Sequence, residues 1–215
     1  MRTYRPEQNQ TIVCVLDTGR TMAGLVGAVP RLEHGMDGVM MLTTLASRLG
    51  DRCGLLAFGS TVRAVVSPES GRRQLERVNE AMFALEPELN ESDYRSAFVR
   101  ALATFPRRTM FVVLTDLAEE SVRESLLPAM PLVTRKHLVV VAGVRDPDIV
   151  RWAAMLPADV SGVYRSAAAG EALEQRRRSV ALLRSAGAIV IDAAPGELAT
   201  RLADTYFEVK ASGRL

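Results

Sequence analysis

Lysine, histidine and aromatic residues are all scarce in this chain of 215 residues. Lysine occurs only at Lys136 and Lys210, which excludes a glycine-rich phosphate-binding loop with its lysine. Aromatic residues make up 5% and the formal net charge is +2, so we expect no base-stacking surface, no basic tract and no nucleic-acid binding. The two histidines lie far apart in the sequence, and no Ser-His-Asp or Cys-His arrangement indicates a nucleophilic site.

Cysteines and long hydrophobic runs are also few. Cys14 and Cys53 fall inside or beside apolar strand-like runs, where a thiol behaves as a small hydrophobe, and this usage suits a reducing cytosol. Every apolar run is shorter than the roughly 20 residues that a membrane-spanning helix needs, and there is no secretory signal. We therefore expect a cytoplasmic chain.

The hydrophobic content of 48% is ample for a single core. We predict a polar N-terminal linker over residues 1–10 and one α/β domain over residues 11–215.

Two apolar strands in the chain end in a carboxylate. Residues 12–16 are apolar and lead into Asp17, and residues 110–117 repeat the pattern with Thr115 and Asp116. In an open α/β sheet, ligands bind in the crevice outside the carboxyl ends of the strands. Two carboxylates in that crevice would repel each other, so a positive charge is expected between them, most simply a divalent cation with oxygen ligands. The alternative is that Asp17 merely caps its loop.

The remaining segments alternate between helix and strand patterns. We predict helices over 32–49, 71–83, 119–130, 148–155, 167–186 and 197–209, another helix capped by Ser92 or Asp93, a hairpin of strands 52–58 and 61–66, and strands over 137–142 and 188–191. This order indicates a doubly wound, mostly parallel sheet with one antiparallel edge strand. The charged run Arg176-Arg177-Arg178 is interpreted as a solvated helix face.

Four short motifs together resemble a von Willebrand factor A domain. They are DTGRTM at 17–22, DR and GLLAF within 51–58, ESDY at 91–94 and LTDL at 114–117. Within that superfamily the chain resembles the bacterial proteins of unassigned role whose genes often neighbour a MoxR-type AAA+ ATPase. Members of that group commonly have membrane-spanning segments before this domain, which implies that the full-length protein is tethered to the inner membrane.

The resemblance implies a metal-ion-dependent adhesion site, with the pattern Asp-x-Ser-x-Ser in the first loop. Asp17 matches the Asp and Thr21 matches the second hydroxyl, whereas Gly19 stands where the first hydroxyl is expected. Restoring that hydroxyl with Gly19→Ser is expected to tighten metal binding, unless Gly19 has a positive φ that a side chain would strain.

The second and third loops of that site supply a Thr and an Asp in the family. Ser92 best matches the Thr, its neighbour Asp93 is a further oxygen donor, and Asp116 matches the Asp. The implied ion is Mg²⁺, with Mn²⁺ or Ca²⁺ as alternatives. We expect that replacing Asp17 or Asp116 by alanine abolishes ion binding and leaves the fold intact.

These residues leave three function classes open. The favoured one is a non-enzymatic protein-interaction module that presents the ion to an acidic side chain of a partner protein and acts with a MoxR-type ATPase in assembly or chaperone work. The alternative is a metal-dependent hydrolase or phosphotransferase acting on a small anionic substrate, for which Asp93 is the one evident candidate base. The third is a metal-free scaffold.

Overall fold

A computed structural model describes residues 10–213, in which six strands form one sheet and two short strands form a ribbon. The sheet contains β1 (Thr11–Asp17), β4 (Arg52–Phe58), β5 (Val62–Glu69), β6 (Met110–Leu114), β7 (Leu138–Val144) and β8 (Ile189–Ala193). The ribbon pairs β2 (Leu25–Val26) with β3 (Val29–Pro30).

Helices cover both faces of the sheet. They are α1 (Arg31–Arg48), α2 (Arg72–Phe83), α3 (Tyr94–Thr104), α4 (Glu119–Ser121), α5 (Leu127–Thr134), α6 (Pro147–Ala154), α7 (Val160–Ser185) and α8 (Leu198–Ala211). A 3-10 helix spans Arg20–Ala23, and a π-helical segment, Val122–Leu126, joins α4 to α5.

The order of the sheet is β5-β4-β1-β6-β7-β8, and only the edge strand β5 is antiparallel to its neighbour. In this doubly wound order, the chain adds strands first on one side of β1, to β5, and then on the other side, to β8. The predicted fold class is confirmed, including the central position of β1 between the strands that begin at Arg52 and Met110.

The apolar run of β1 is explained by the two cores that it separates. Ile12, Cys14 and Leu16 pack with residues of α1, α2 and α8 on one face. Val13 and Val15 pack with residues of α3, α5 and α7 on the other. A strand buried on both faces needs apolar side chains at every position, and β1 has them until Asp17.

Three local predictions differ from the structure. The ribbon β2–β3 was not predicted. Helix α7 begins at Val160, well before residue 167, because Asp159 caps it by accepting a hydrogen bond of 2.6 Å from the Gly162 backbone N–H. The helical segment after β6 continues past Pro131 to Thr134, since the buried Met130 and Val133 keep its inner face packed.

The predicted linker over residues 1–10 lies outside the described residues except for Gln10. The Gln10 backbone pairs with the start of β4, accepting a hydrogen bond of 2.9 Å from the Arg52 N–H. Among the described residues, no helix has both the length and the apolar composition required to cross a membrane.

Candidate functional site at the carboxyl edge of the sheet

The carboxyl ends of β1, β4 and β6 meet at one edge of the sheet. Asp17 is the last residue of β1 and pairs with Phe58 at the end of β4, while Leu16 pairs with Leu114 of β6. Thr115 and Asp116 follow β6 directly. The strands therefore bring the two predicted carboxylates to the same crevice.

The Asp17 carboxylate is fully buried and accepts four hydrogen bonds. Its Oδ1 atom accepts from the Gly19 N–H at 2.8 Å and from the Ser92 hydroxyl at 2.5 Å. Its Oδ2 atom accepts from the Tyr94 hydroxyl at 2.8 Å and from the Thr115 hydroxyl at 2.6 Å. A buried carboxylate is stable only when its oxygens are satisfied in this way. Both oxygens of Asp17 are therefore committed to internal donors.

Tyr94 contributes the deepest of these donors. Its ring is buried against Phe58 and Phe98, with centroid distances of 5.2 and 6.4 Å. Its hydroxyl also lies 2.7 Å from the Thr115 hydroxyl. Burial and the nearby charge of Asp17 raise the pKa of Tyr94 well above its ordinary value, so the phenol keeps the proton that it donates.

The loop that carries Ser92 is held over the site by backbone hydrogen bonds. The Glu88 N–H donates to Thr18 O at 2.6 Å, the Arg20 N–H donates to Asn90 O at 2.9 Å, and the Asp93 N–H donates to Gly59 O at 2.9 Å. These bonds join the loop to the ends of β1 and β4. They place Ser92 where its hydroxyl can donate to Asp17.

Gly19 explains how Ser92 reaches Asp17. The φ of Gly19 is −78°, which any residue can adopt, so the positive φ considered from the sequence is absent. A Cβ atom at Gly19 would instead lie 2.0 Å from Ser92 Oγ and 3.1 Å from Asn90 O. The space that a first-loop hydroxyl would need is therefore filled by the hydroxyl of the second loop.

Two of the predicted ligands do not join the cluster around Asp17. Thr21 lies in the 3-10 helix, and its hydroxyl makes no hydrogen bond within residues 10–213. The exposed Asp93 caps α3 by accepting a hydrogen bond of 2.9 Å from the Ser96 N–H. Hydrogen bonds from the Ser96 side chain and backbone lower the pKa of Asp93. Capping by Asp93 was one of the two predicted alternatives.

Asp116 is neutralised by arginines. Its Oδ1 atom accepts a hydrogen bond of 2.8 Å from Arg176 Nη1 and lies 3.5 Å from Arg31 Nε. Arg176 also donates from Nε to Asp192 at 2.9 Å and from Nη2 to Val144 O at 2.9 Å. The expected positive charge is thus present at Asp116, and arginine side chains supply it.

Arg176 was interpreted from the sequence as part of a solvated face, and the structure corrects this. Its side chain is only 13% exposed, whereas those of Arg177 and Arg178 are 76% and 43% exposed. Burial by itself lowers the pKa of Arg176, but the charges of Asp116 and Asp192 outweigh that effect and raise the pKa. Arg176 is therefore a permanent buried cation.

The arrangement does not fit a divalent ion without rearrangement. An ion at Asp17 would have to displace hydroxyl donors from its oxygens, and an ion at Asp116 Oδ1 would have to displace Arg176. The structure groups no three His, Cys, Asp or Glu side chains that could hold a metal ion within residues 10–213. The ligand set that the resemblance implies stays a prediction.

The expectation that alanine at Asp17 would leave the fold intact is also corrected. It assumed that the side chain lies in a loop over the crevice, but Asp17 belongs to β1 and is 0% exposed. Removing it would leave buried donors without an acceptor.

Comparison with known proteins identifies the family to which this chain belongs. The family described as "Protein of unknown function DUF58" matches residues 1–184, which is most of the chain. The chain belongs to this family. A search of the curated proteins finds no match.

Several solved structures resemble this DUF58 chain in fold. The conserved hypothetical protein BatB from Bacteroides thetaiotaomicron is 14% identical, with a TM-score of 0.54 over 94% of this chain and 99% of that chain. The pilus adhesin SpaC from Lactobacillus rhamnosus GG, in an open conformation, is 10% identical, with a TM-score of 0.54 over 94% of this chain and 30% of that chain. The SpRpn10 VWA domain is 13% identical, with a TM-score of 0.49 over 91% of this chain and 94% of that chain. At these identities the likeness concerns the fold alone, a mostly parallel α/β sheet covered by helices on both faces.

Sequence reasoning missed Tyr94, Arg31 and Arg176 as parts of the site. Tyr94 belongs to the ESDY motif, so a buried aromatic hydroxyl beside a predicted ligand was a usable signal. The two arginines carried no such signal, because they come from α1 and α7, far from the motifs in sequence.

Proposed function

We propose that this chain is a non-enzymatic protein-interaction module that docks an acidic side chain of a partner protein at the carboxyl edge of its sheet. The observation that carries the proposal is a cavity of about 300 Å³ beside Asp116, whose lining includes Arg31, Arg145 and Arg176. Four carboxylates also line it, Asp116, Glu119, Glu120 and Asp146. Asp116 and Glu119 are already paired with arginines, and Asp146 caps α6.

Two cations in this cavity have donors to offer: Arg145, which meets Asp192 only at 3.7 Å, and the more deeply buried Arg31. Its Nε atom is buried without a hydrogen-bond partner among the described residues, and its contact with Asp116 is long, at 3.5 Å. A buried donor without an acceptor is costly, and a partner carboxylate that draws the Arg31 guanidinium toward the cavity would remove that cost. Arg176, in contrast, has each of its three nitrogens engaged. We therefore assign the first contact with the partner to Arg31.

The resemblance suggests two finer features of this function. One is a MoxR-type AAA+ ATPase as the partner. The other is a divalent ion, Mg²⁺, Mn²⁺ or Ca²⁺, held by Asp17, Thr21, Ser92 and Asp116 and presented to the acidic group. The hydrogen bonds of Asp17 and the pairing of Asp116 favour direct recognition by Arg31 over recognition through an ion.

An enzymatic role is less well supported by the same geometry. A general base must have an oxygen or nitrogen available to take a proton from the substrate. Both oxygens of Asp17 accept internal hydrogen bonds, and Asp93 caps α3. Within residues 10–213, the hydrogen-bond partners of Asp17 are hydroxyls and one backbone N–H, and none is a carboxylate.

Binding of the purified MoxR-type ATPase from the same genome tests the proposal. Immobilised wild-type chain should bind the ATPase in EDTA, and Arg31→Gln should weaken binding about tenfold, the factor expected from losing about 1.4 kcal/mol in one charged hydrogen bond. Arg48→Gln is the matched control, because Arg48 lies exposed at the other end of α1.

The outcomes separate the alternatives. Binding that requires Mg²⁺ would favour presentation of an ion. Equal binding by wild type and Arg31→Gln would remove Arg31 from the interface. Hydrolysis of p-nitrophenyl phosphate by wild type in Mg²⁺ or Mn²⁺, lost in Asp17→Asn, would favour the enzyme.

A further inference from the structure

Arg176 connects the carboxyl ends of three neighbouring strands, β6, β7 and β8. Its three side-chain nitrogens donate to Asp116 after β6, to Val144 O at the end of β7 and to Asp192 in β8. Gly143 leaves room for the loop after β6 and for this crossing, since a Cβ atom there would lie 2.7 Å from Thr115 O and 3.3 Å from Arg176 Nη2. One side chain from α7 therefore ties the edge together.

The charges around Arg176 require a cation at this position. The side chains of Asp116 and Asp192 are only 10% and 19% exposed, so water screens them poorly. Two carboxylates in such surroundings repel each other, and each would be destabilised by burial without a counter-ion. Arg31 and Arg145 approach them less closely, at 3.5 and 3.7 Å. The closest compensation comes from Arg176.

A metal ion in a von Willebrand factor A-like crevice would perform the same electrostatic task at Asp116. We propose that Arg176 is the permanent counter-ion of this crevice and takes the place of the divalent ion. The wild-type chain therefore holds this edge of the sheet together without metal. The inference concerns folding and metal response, and its test involves no partner protein. Its failure is therefore distinguishable from failure of the proposed docking function.

The inference predicts that removing the guanidinium creates a metal response that wild type lacks. In Arg176→Met the charge is lost while a long apolar side chain is kept, so Asp116 and Asp192 are left without their closest cation. The midpoint of thermal unfolding should fall in EDTA and should rise again with Mg²⁺ or Mn²⁺. Calorimetric titration should show Mn²⁺ binding to Arg176→Met at least about tenfold more tightly than to wild type, because a cation no longer opposes the ion at close range.

Three further variants control the experiment. Arg177→Met removes an adjacent but exposed arginine and should behave as wild type with and without metal. Arg176→Lys keeps the charge and should stay insensitive to metal. In Arg176→Met combined with Asp116→Asn, the metal response should be lost, because the ion has no carboxylate at the end of β6.

Two results would overturn the inference. One is a wild-type chain whose unfolding midpoint rises with Mg²⁺ or Mn²⁺ relative to EDTA. The other is an Arg176→Met variant that folds but shows no metal response. If Arg176→Met does not fold in EDTA, folding on addition of Mn²⁺ supports the inference, and failure to fold with Mn²⁺ contradicts it.

Discussion

Asp17 and Asp116 were expected to be equivalent ligands of one ion, but the structure stabilises them in different ways. Asp17 is surrounded by neutral donors, three hydroxyls and one backbone N–H, and no arginine or lysine pairs with it among the described residues. Asp116 lies nearer the rim and pairs with Arg176 and Arg31.

The difference shows two ways in which side chains of one crevice compensate a carboxylate. At full burial, several short hydrogen bonds stabilise the ionised form where a long side chain would be costly to enclose. At the rim, an arginine can reach the carboxylate while its stem packs along α7. Asp17 therefore depends on the packing of loops, whereas Asp116 depends on charge.

Replacing Asp17 by alanine should have the largest effect on the free energy of unfolding, because Asp17 depends on the packing of the loops around it. Asp17→Ala removes the acceptor of three hydroxyls and one N–H, and the Tyr94 and Thr115 hydroxyls can then satisfy one donor by bonding to each other. Three donors stay unpaired, so we expect a loss of about 3 kcal/mol in the free energy of unfolding, at about 1 kcal/mol for each. Urea unfolding measures it. Asp37→Ala, on the exposed side of α1, is the control and should be nearly neutral.

The salt dependence of stability gives a second test of the difference between Asp17 and Asp116. The cost of Asp116→Ala should depend on salt more than the cost of Asp17→Ala, since Asp116 acts through ion pairs and Asp17 through neutral donors; at 10% exposure the screening of the Asp116 pairs is only partial. Equal salt dependence of the two variants would contradict the distinction drawn between them.

The contact between Gly19 and Ser92 gives the next largest effect. Gly19→Ser places a Cβ atom against Ser92 Oγ, so we expect it to lower the free energy of unfolding by about 2 kcal/mol, the usual cost of overpacking, and not to tighten metal binding. Combining it with Ser92→Ala removes the closest contact and lets the new hydroxyl approach Asp17.

Urea unfolding of the single and double variants measures this coupling. The double variant should be more stable than Gly19→Ser alone. Additive losses would show that the two side chains do not compete for one space.

Asp93, the third predicted carboxylate, extends the comparison to the surface and should show the smallest effect. Asp93→Ala removes the cap of α3 and should cost about 1 kcal/mol at neutral pH. Because hydrogen bonds from Ser96 lower the pKa of Asp93 in the folded chain, the stability that its charge adds is present above the unfolded value of about 3.9. That contribution is lost as the pH falls through the lower folded pKa.

Measuring the free energy of unfolding across this acidic range checks the direction of the pH dependence. The difference between wild type and Asp93→Ala should narrow as the pH falls. Asp93→Asn is the control, since an uncharged amide oxygen still caps the helix, and its stability relative to Asp93→Ala should change less with pH. A difference that widens in acid would contradict the assignment.

The sequence by itself determined the fold, the strand order around β1 and the edge of the sheet where the polar residues meet. It could do so because an apolar run without alternation indicates a strand buried on both faces, and because parallel strands end at a common edge. The predicted positions of Asp17 and Asp116 at that edge follow from those local patterns, whereas Ser92 was predicted only from the family resemblance.

Only the tertiary structure decided what compensates the two carboxylates. Ser92 reaches Asp17 because Gly19 leaves the space, and Arg176 reaches Asp116 because α7 packs across the end of β7. Neither contact has a sequence pattern, since each joins residues 60 or more positions apart. Whether a buried charge meets a hydroxyl, an arginine or an ion depends on which side chains the packed helices and loops bring within hydrogen-bonding distance.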